Sequence, residues 1–176
     1  VNEARWRGRK RRTNPKERTP ACPNRFISAS LRRSAISKRR MVRRAIDSDA
    51  GEVARIMREC VVPVWTDEQV RSSFDSENTD IYVYDDGKVR GYVIAENVLD
   101  ERCIASIAVD AEVRHRGIGR ALLSSALVGA GYAYLEVNEH NAPAIALYEA
   151  CGFRAEGLRK RYYGEASAII MTRRET

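Results

Sequence analysis

With 176 residues and 44% hydrophobic composition the chain can bury one domain core, and its net charge of +7 is spread very unevenly. Residues 1–40 hold 14 Lys/Arg against 2 Asp/Glu, whereas residues 41–176 hold 17 against 22, so the basic balance belongs to the leader and the remainder is mildly acidic. No apolar run is long enough to span a bilayer or form a signal-peptide core. Four cysteines without paired spacing, beside only two histidines, argue against a zinc site and fit a reducing, cytoplasmic compartment.

Residues 1–40 lack periodicity and contain Arg9-Lys-Arg-Arg12, Lys38-Arg-Arg40 and three prolines. They cannot bury enough apolar surface to offset ordering entropy, so disorder is expected. Three readings stay open: a nucleic-acid-binding arm, an Arg- and Ser-rich organellar transit peptide, or a translated upstream stretch with the start at Met41. The domain is expected over 41–176.

From there the order alternates α and β. Met41–Ala45 reads as a short strand. Val53, Ile56, Met57, Cys60 and Val61 follow amphipathic-helix spacing after the cap candidates Asp47, Ser48 and Asp49. Thr66-x-x-Gln69 is a capping-box signature for a second helix. Ile81–Tyr84 and Val89–Ala95 read as strands joined by the turn Asp85-Asp-Gly-Lys88. Cys103–Val109 is a strand, and Gly117–Ala130 a buried helix ended by Gly131. Tyr132–Val137 is a strand. Asn141 caps a helix that reaches Cys151, with Pro143 in its first turn and Gly152 as its stop. Strands near Phe153–Arg161 and Ala166–Thr172 finish the domain.

The segment Arg114-His-Arg-Gly-Ile-Gly-Arg-Ala121 carries the most chemistry. Gly117 and Gly119 let a backbone approach a ligand closely, Arg114, Arg116 and Arg120 supply positive charge, and a helix starts at once. The segment reads as a phosphate cradle. A Walker loop needs Lys-Ser or Lys-Thr where Arg120-Ala121 stands, and a dinucleotide fingerprint needs a third glycine where Leu122 stands. Only Glu139, at a suitable distance for a ribose contact, favours the dinucleotide alternative.

Five blocks in order carry a resemblance: Ile107-Ala-Val-Asp110 before Arg114-x-x-Gly-x-Gly119, then Tyr134-Leu-Glu-Val137, Asn141-Ala-Pro-Ala-Ile-Ala-Leu-Tyr148, Gly152-Phe153 and Arg161-Tyr-Tyr163. From about Met41 to Thr172 the chain resembles the GNAT acetyltransferases, in the RimI-type branch of ribosomal-protein alanine and other N-terminal acetyltransferases. The resemblance implies a mixed, twisted α/β (α+β) sheet of about six to seven strands flanked by helices. It also implies acetyl-CoA as cosubstrate, no metal, no membrane, and a protein N-terminus as acceptor, a ribosomal protein among the candidates. Gly119 to Glu136 is shorter than that family's pattern by about one helical turn, which should be lost at the far end of the helix.

Within the resemblance, backbone groups of Ile107, Ala108 and Val109 take the pantetheine arm. The N–H groups over His115, Arg116, Gly117, Ile118, Gly119 and Arg120 take the pyrophosphate, and Asn141 is a further cofactor contact. Glu136 shares a strand face with Tyr134, opposite Leu135 and Val137, and matches the family's proton acceptor. Tyr148 lies seven residues from Asn141 on one helix face and matches the proton donor. Val62, Pro63, Val64 and Trp65, with Tyr162 and Tyr163, flank the acceptor. An acceptor with a lysine or small amine, or a non-catalytic CoA-binding module beside nucleic acid, are the competing readings.

Overall fold

The computed structural model describes residues 41–61 and 63–175. The expected disorder of residues 1–40 and the acceptor candidate Val62 lie outside these described residues. Among the described residues no helix is long and apolar enough to cross a membrane.

The strands are β1 Val42–Arg44, β2 Thr79–Asp85, β3 Val89–Val98, β4 Glu101–Val109, β5 Tyr132–Asn138, β6 Arg154–Tyr163 and β7 Ala166–Arg174. The helices are α1 Ala50–Cys60, α2 Asp67–Asp75, α3 Ile118–Ala126 and α4 Ala142–Ala150. The strands form one seven-stranded sheet in the order β1-β2-β3-β4-β5-β7-β6. Neighbours are antiparallel except β4 and β5, which run parallel. A parallel pair needs a crossover connection, and α3 supplies it.

The period of two along the strands builds two apolar layers. Ile81, Val83, Tyr92 and Ile94 pack against Val53, Ile56 and Met57 of α1. Tyr84, Val93 and Ala95 face Leu122, Leu123 and Ala126 of α3. β3 is therefore buried on both faces. Gly91 sits where it meets α3: a Cβ there would come 2.9 Å from the Ala108 carbonyl oxygen and 3.2 Å from Leu122 Cδ1. Glycine is the residue that lets the helix close on the sheet at that point.

Several expected ends hold. Gln69 N–H donates to Thr66 Oγ1 at 3.2 Å and Thr66 N–H to Gln69 Oε1 at 2.8 Å, a complete capping box. Ala144 N–H donates to Asn141 Oδ1 at 3.3 Å, and Gly152 has φ +90° after α4. Two ends differ. Asp47–Asp49 form a 3-10 turn, and Asp49 gives α1 no side-chain cap, because its carboxylate accepts Ile46 N–H at 2.9 Å and is gripped by Arg43. The helix expected over Gly117–Ala130 ends at Ala126. Arg102 of β4 donates to the carbonyls of Ala126 and Val128, and Gly129 turns the chain at φ +74°. A guanidinium on the last carbonyls satisfies them and matches the negative helix end. The short helix still delivers β5 beside β4, with Tyr132 opposite Glu101.

Arg43 of β1 ties three parts of one edge together. It donates to both oxygens of Asp49, at 2.7 and 3.0 Å, and twice to Asp85 Oδ2, at 3.0 and 2.8 Å. The hydrogen bond from Arg43 holds the nearly buried Asp49 carboxyl below the usual range, and the Gly87 N–H followed by Arg43 does so for Asp85. A depressed folded-state value stabilises above the unfolded value of about 3.9 and is lost as pH falls through the folded value. Arg43→Met is therefore expected to lower Tm most at pH 7 and progressively less below about pH 4. Thermal melts at pH 7 and pH 3 check this; a pH-independent difference refutes the coupling.

Candidate active site

β4 and β5 pair over only three positions, Glu101 with Tyr132, Arg102 with Ala133 and Cys103 with Tyr134. Beyond Cys103 no ladder joins them, and a cleft of about 460 Å³ lies beside the end of β4. Ile107, Ala108 and Val109 line it, with Arg114, His115, Gly117, Ile118, Gly119 and Arg120 of the loop and α3, and Asn141 of α4. The sequence candidates for one ligand thus meet in one cleft, apart from Arg116, whose guanidinium donates to the Glu112 carbonyl at 3.3 Å. Cys60, Val113, Pro143, Ala144 and Leu147 complete the wall. Of these, Cys60 reads in sequence as a buried apolar thiol, yet its Sγ points to the Val109 carbonyl oxygen at 3.7 Å.

The cradle is built from backbone. His115 has φ +59° and Gly117 φ +80°, and Gly117 is the N-cap of α3 with no side-chain cap. The first N–H groups of α3 therefore have no side-chain acceptor and open on the cleft, the arrangement that binds phosphate. Gly119 keeps this floor tight, because a Cβ would stand 3.2 Å from Leu147 Cδ2. Arg114 Nε donates to the Val109 carbonyl oxygen at 3.0 Å, so this arginine bridges the loop to the β4 edge. The cleft fits an extended, apolar-bodied ligand with a charged phosphate end. Glu139 is engaged elsewhere, its Oε1 accepting Ser167 N–H at 2.6 Å, which removes the one feature favouring a dinucleotide.

Glu136 and Tyr148 sit apart from that wall. On β5, Leu135 and Val137 are buried in the α3 layer and Glu136 is half-buried on the other face, as the alternation requires. Glu136 Oε1 forms an ion pair with Arg159 Nη1 at 2.9 Å, a partner on β6 that nothing in the sequence pattern singles out. Tyr148 is buried, its ring edge-on to Phe153 at 5.9 Å. Burial pushes its phenol up, and the phenols of Tyr163 and then Tyr92 add to the rise. Tyr163 is raised by burial and also by Tyr162 and Glu136. Tyr162 is half-exposed and packs edge-on to Tyr163, with centroids 5.0 Å apart. On the α1–α2 connection Pro63 and Val64 are exposed and Trp65 rests against the α1 layer. Among the described residues no hydrogen bond, ion pair or ring contact joins that connection to the tyrosine pair.

Comparison with known proteins agrees with this geometry. The profile of the Acetyltransferase (GNAT) family matches residues 51–153. The [ribosomal protein bS18]-alanine N-acetyltransferase of Escherichia coli strain K12 is 35% identical over 116 residues, covering 61% of this chain and 78% of that protein. The N-alpha-acetyltransferase RimI of Mycobacterium tuberculosis is 45% identical over 73 residues, covering 40% and 46%. The crystal structure of the ribosomal-protein-S18-alanine N-acetyltransferase from Escherichia coli superposes with a TM-score of 0.70 at 30% identity, over 76% of this chain and 92% of that one.

Gly119→Glu places a carboxylate at the head of α3, where the helix dipole tolerates it but a phosphate does not. The fold should persist by circular dichroism while affinity for acetyl-CoA, read by calorimetric titration, falls by about tenfold or more. Unchanged affinity would remove the cradle from the ligand site.

Proposed function

The chain belongs to the Acetyltransferase (GNAT) family, and on that premise we propose that it transfers an acetyl group from acetyl-CoA to the N-terminal α-amine of a protein, with a ribosomal protein as the substrate class its relatives suggest. The observation that carries the reading is the cleft where the Ile107–Val109 edge meets the uncapped start of α3, with Glu136 half-buried on β5 and Tyr163 at the end of β6. That tyrosine belongs to the pair Tyr162 and Tyr163, whose rings and hydroxyls suit a short peptide end.

In this reading the uncapped end of α3 holds the pyrophosphate and the Ile107–Val109 edge holds the pantetheine arm, with Asn141 beside them. A neutral amine gives its lone pair to the thioester carbonyl carbon, and its proton passes to Glu136, directly or through one water. The carbon–sulfur bond then breaks with its electron pair on sulfur. Tyr148 faces that developing thiolate as a donor. Its raised phenol stays protonated at neutral pH, so it acts by hydrogen bonding as charge builds, and gives up its proton late. Pro63, Val64 and Trp65 are proposed to border the acceptor. Any nucleic-acid contact is proposed to reside in residues 1–40, where the positive charge lies.

An α-amine near pKa 8 is about 10% neutral at pH 7, whereas a lysine near 10.4 is neutral at well under roughly 0.1%. A single strand carboxylate suits the easier proton. The test sets a peptide with a free N-terminus against the same peptide with a blocked N-terminus and an added lysine. The free N-terminus should have the higher kcat/KM by about two orders of magnitude, and Tyr148→Phe should lower its kcat with little change in acetyl-CoA affinity. Comparable rates on the blocked peptide would reassign the acceptor to a side chain.

A further inference from the structure

β6 is the edge strand of the sheet and most of it is exposed, yet it carries two contacts that converge on the proposed base. Arg159 Nη1 lies 2.9 Å from Glu136 Oε1. The same guanidinium stands over the Tyr162 ring, 5.1 Å from its centroid. In a regular strand residues three apart face opposite sides, so Arg159 and Tyr162 could not share a face. The pairing of β6 with β7 breaks register between Arg159 and Tyr163, and Arg161 adopts φ +57° inside that break. A bulge of this kind re-aims side chains, and a non-glycine residue at positive φ is strain that the surroundings must hold. The ladder puts Arg159 on the face of Glu136, two residues along from the position opposite it across β7, and the break then turns the Tyr162 ring onto the same guanidinium.

We propose that Arg159 is a positioning residue of the transfer step: it fixes one oxygen of Glu136, leaves the other for the incoming amine, and through Tyr162 joins the base to the arm that closes on the acceptor. The proposal rests on the reading of Glu136 as proton acceptor. An exposed ion pair contributes little to stability, and the Arg159 side chain is 54% exposed, so the pair's effect is on orientation. Arginine suits the place because its planar fork can hold a carboxylate and lie on a ring at once. The cross-strand partner of Glu136 on β7 is the apolar Ile170. Arg159 is the only cation paired with Glu136 among the described residues.

The experiment compares the full chain with Arg159→Met, Arg159→Lys, Glu136→Gln and the Arg159→Met/Glu136→Gln double variant, using a synthetic peptide with a free N-terminal alanine. Arg159→Met should lower kcat by about tenfold or more with acetyl-CoA affinity and Tm unchanged. Arg159→Lys should restore only part of kcat, since an ammonium supplies the charge without the fork. In the double variant, loss of Arg159 should cost nothing beyond Glu136→Gln. If Glu136→Gln keeps full turnover, the base reading falls and this proposal with it. If Glu136→Gln is impaired while Arg159→Met leaves kcat unchanged, or lowers turnover equally in the double variant, Arg159 alone is overturned. Should Arg159→Met fail to fold, Arg159→Lys decides the matter: an unaltered kcat there refutes the positioning role.

Discussion

The rest of this structure depends on a parallel strand pair that holds for only three positions. β4 and β5 are joined from Glu101 and Tyr132 to Cys103 and Tyr134, and the ladder then stops. Backbone groups that stop pairing must find another partner or be solvated. On β4 this exposes an edge at Ile107–Val109, and the Val109 carbonyl is met meanwhile by Arg114 and Cys60. Had the two strands remained paired to their ends, there would be no wall for a ligand. A parallel pair also demands a crossover, so the same constraint fixes α3 between β4 and β5 and points its N-terminus at the open edge. Edge and phosphate cradle are thus two results of one topological fact.

α3 serves two ends with different chemistry. At its start there is no side-chain cap, Gly117 is left-handed, and the amide groups are left for an anion. At its finish Arg102 satisfies the carbonyls of Ala126 and Val128 while reaching Asp80 and Asn97 at 3.0 Å each. The helix is thereby closed early, and the closing residue comes from β4 itself, next to the last paired positions. The tight packing of α3 on β3 at Gly91 holds the helix, and with it the proposed cradle, against the sheet.

The far half of the sheet contributes the ionisable groups. Glu136 stands on the face of β5 away from the α3 core, and Arg159 of β6 reaches it across β7, where Glu136 pairs with Ile170 and Arg159 with Ala168. Tyr148 comes from the opposite layer, buried among Phe153 and the α3 core residues. The two are proposed to have opposite tasks, one accepting a proton and one supplying a donor, and burial favours the protonated phenol from which the proposed task of Tyr148 begins.

The sequence by itself determined the elements whose signals are local. The spacing of Val53, Ile56 and Met57, the Thr66 and Gln69 box, the Asn141 cap and the alternation around Glu136 are each set by neighbours within a turn or two, and each appears in the structure. The glycine loop was legible for the same reason, since left-handed backbone and an uncapped helix start are local properties. Tertiary structure alone decided what depends on residues distant in the chain. Asp49 turned from helix cap to partner of Arg43 because a guanidinium from β1 outcompetes a backbone amide. α3 stopped at Ala126 because Arg102 reached its carbonyls. Cys60 entered the cleft wall, and Arg159 met Glu136 across β7. None of these has a period or spacing to read: strand order and register set them, and both are properties of the assembled sheet.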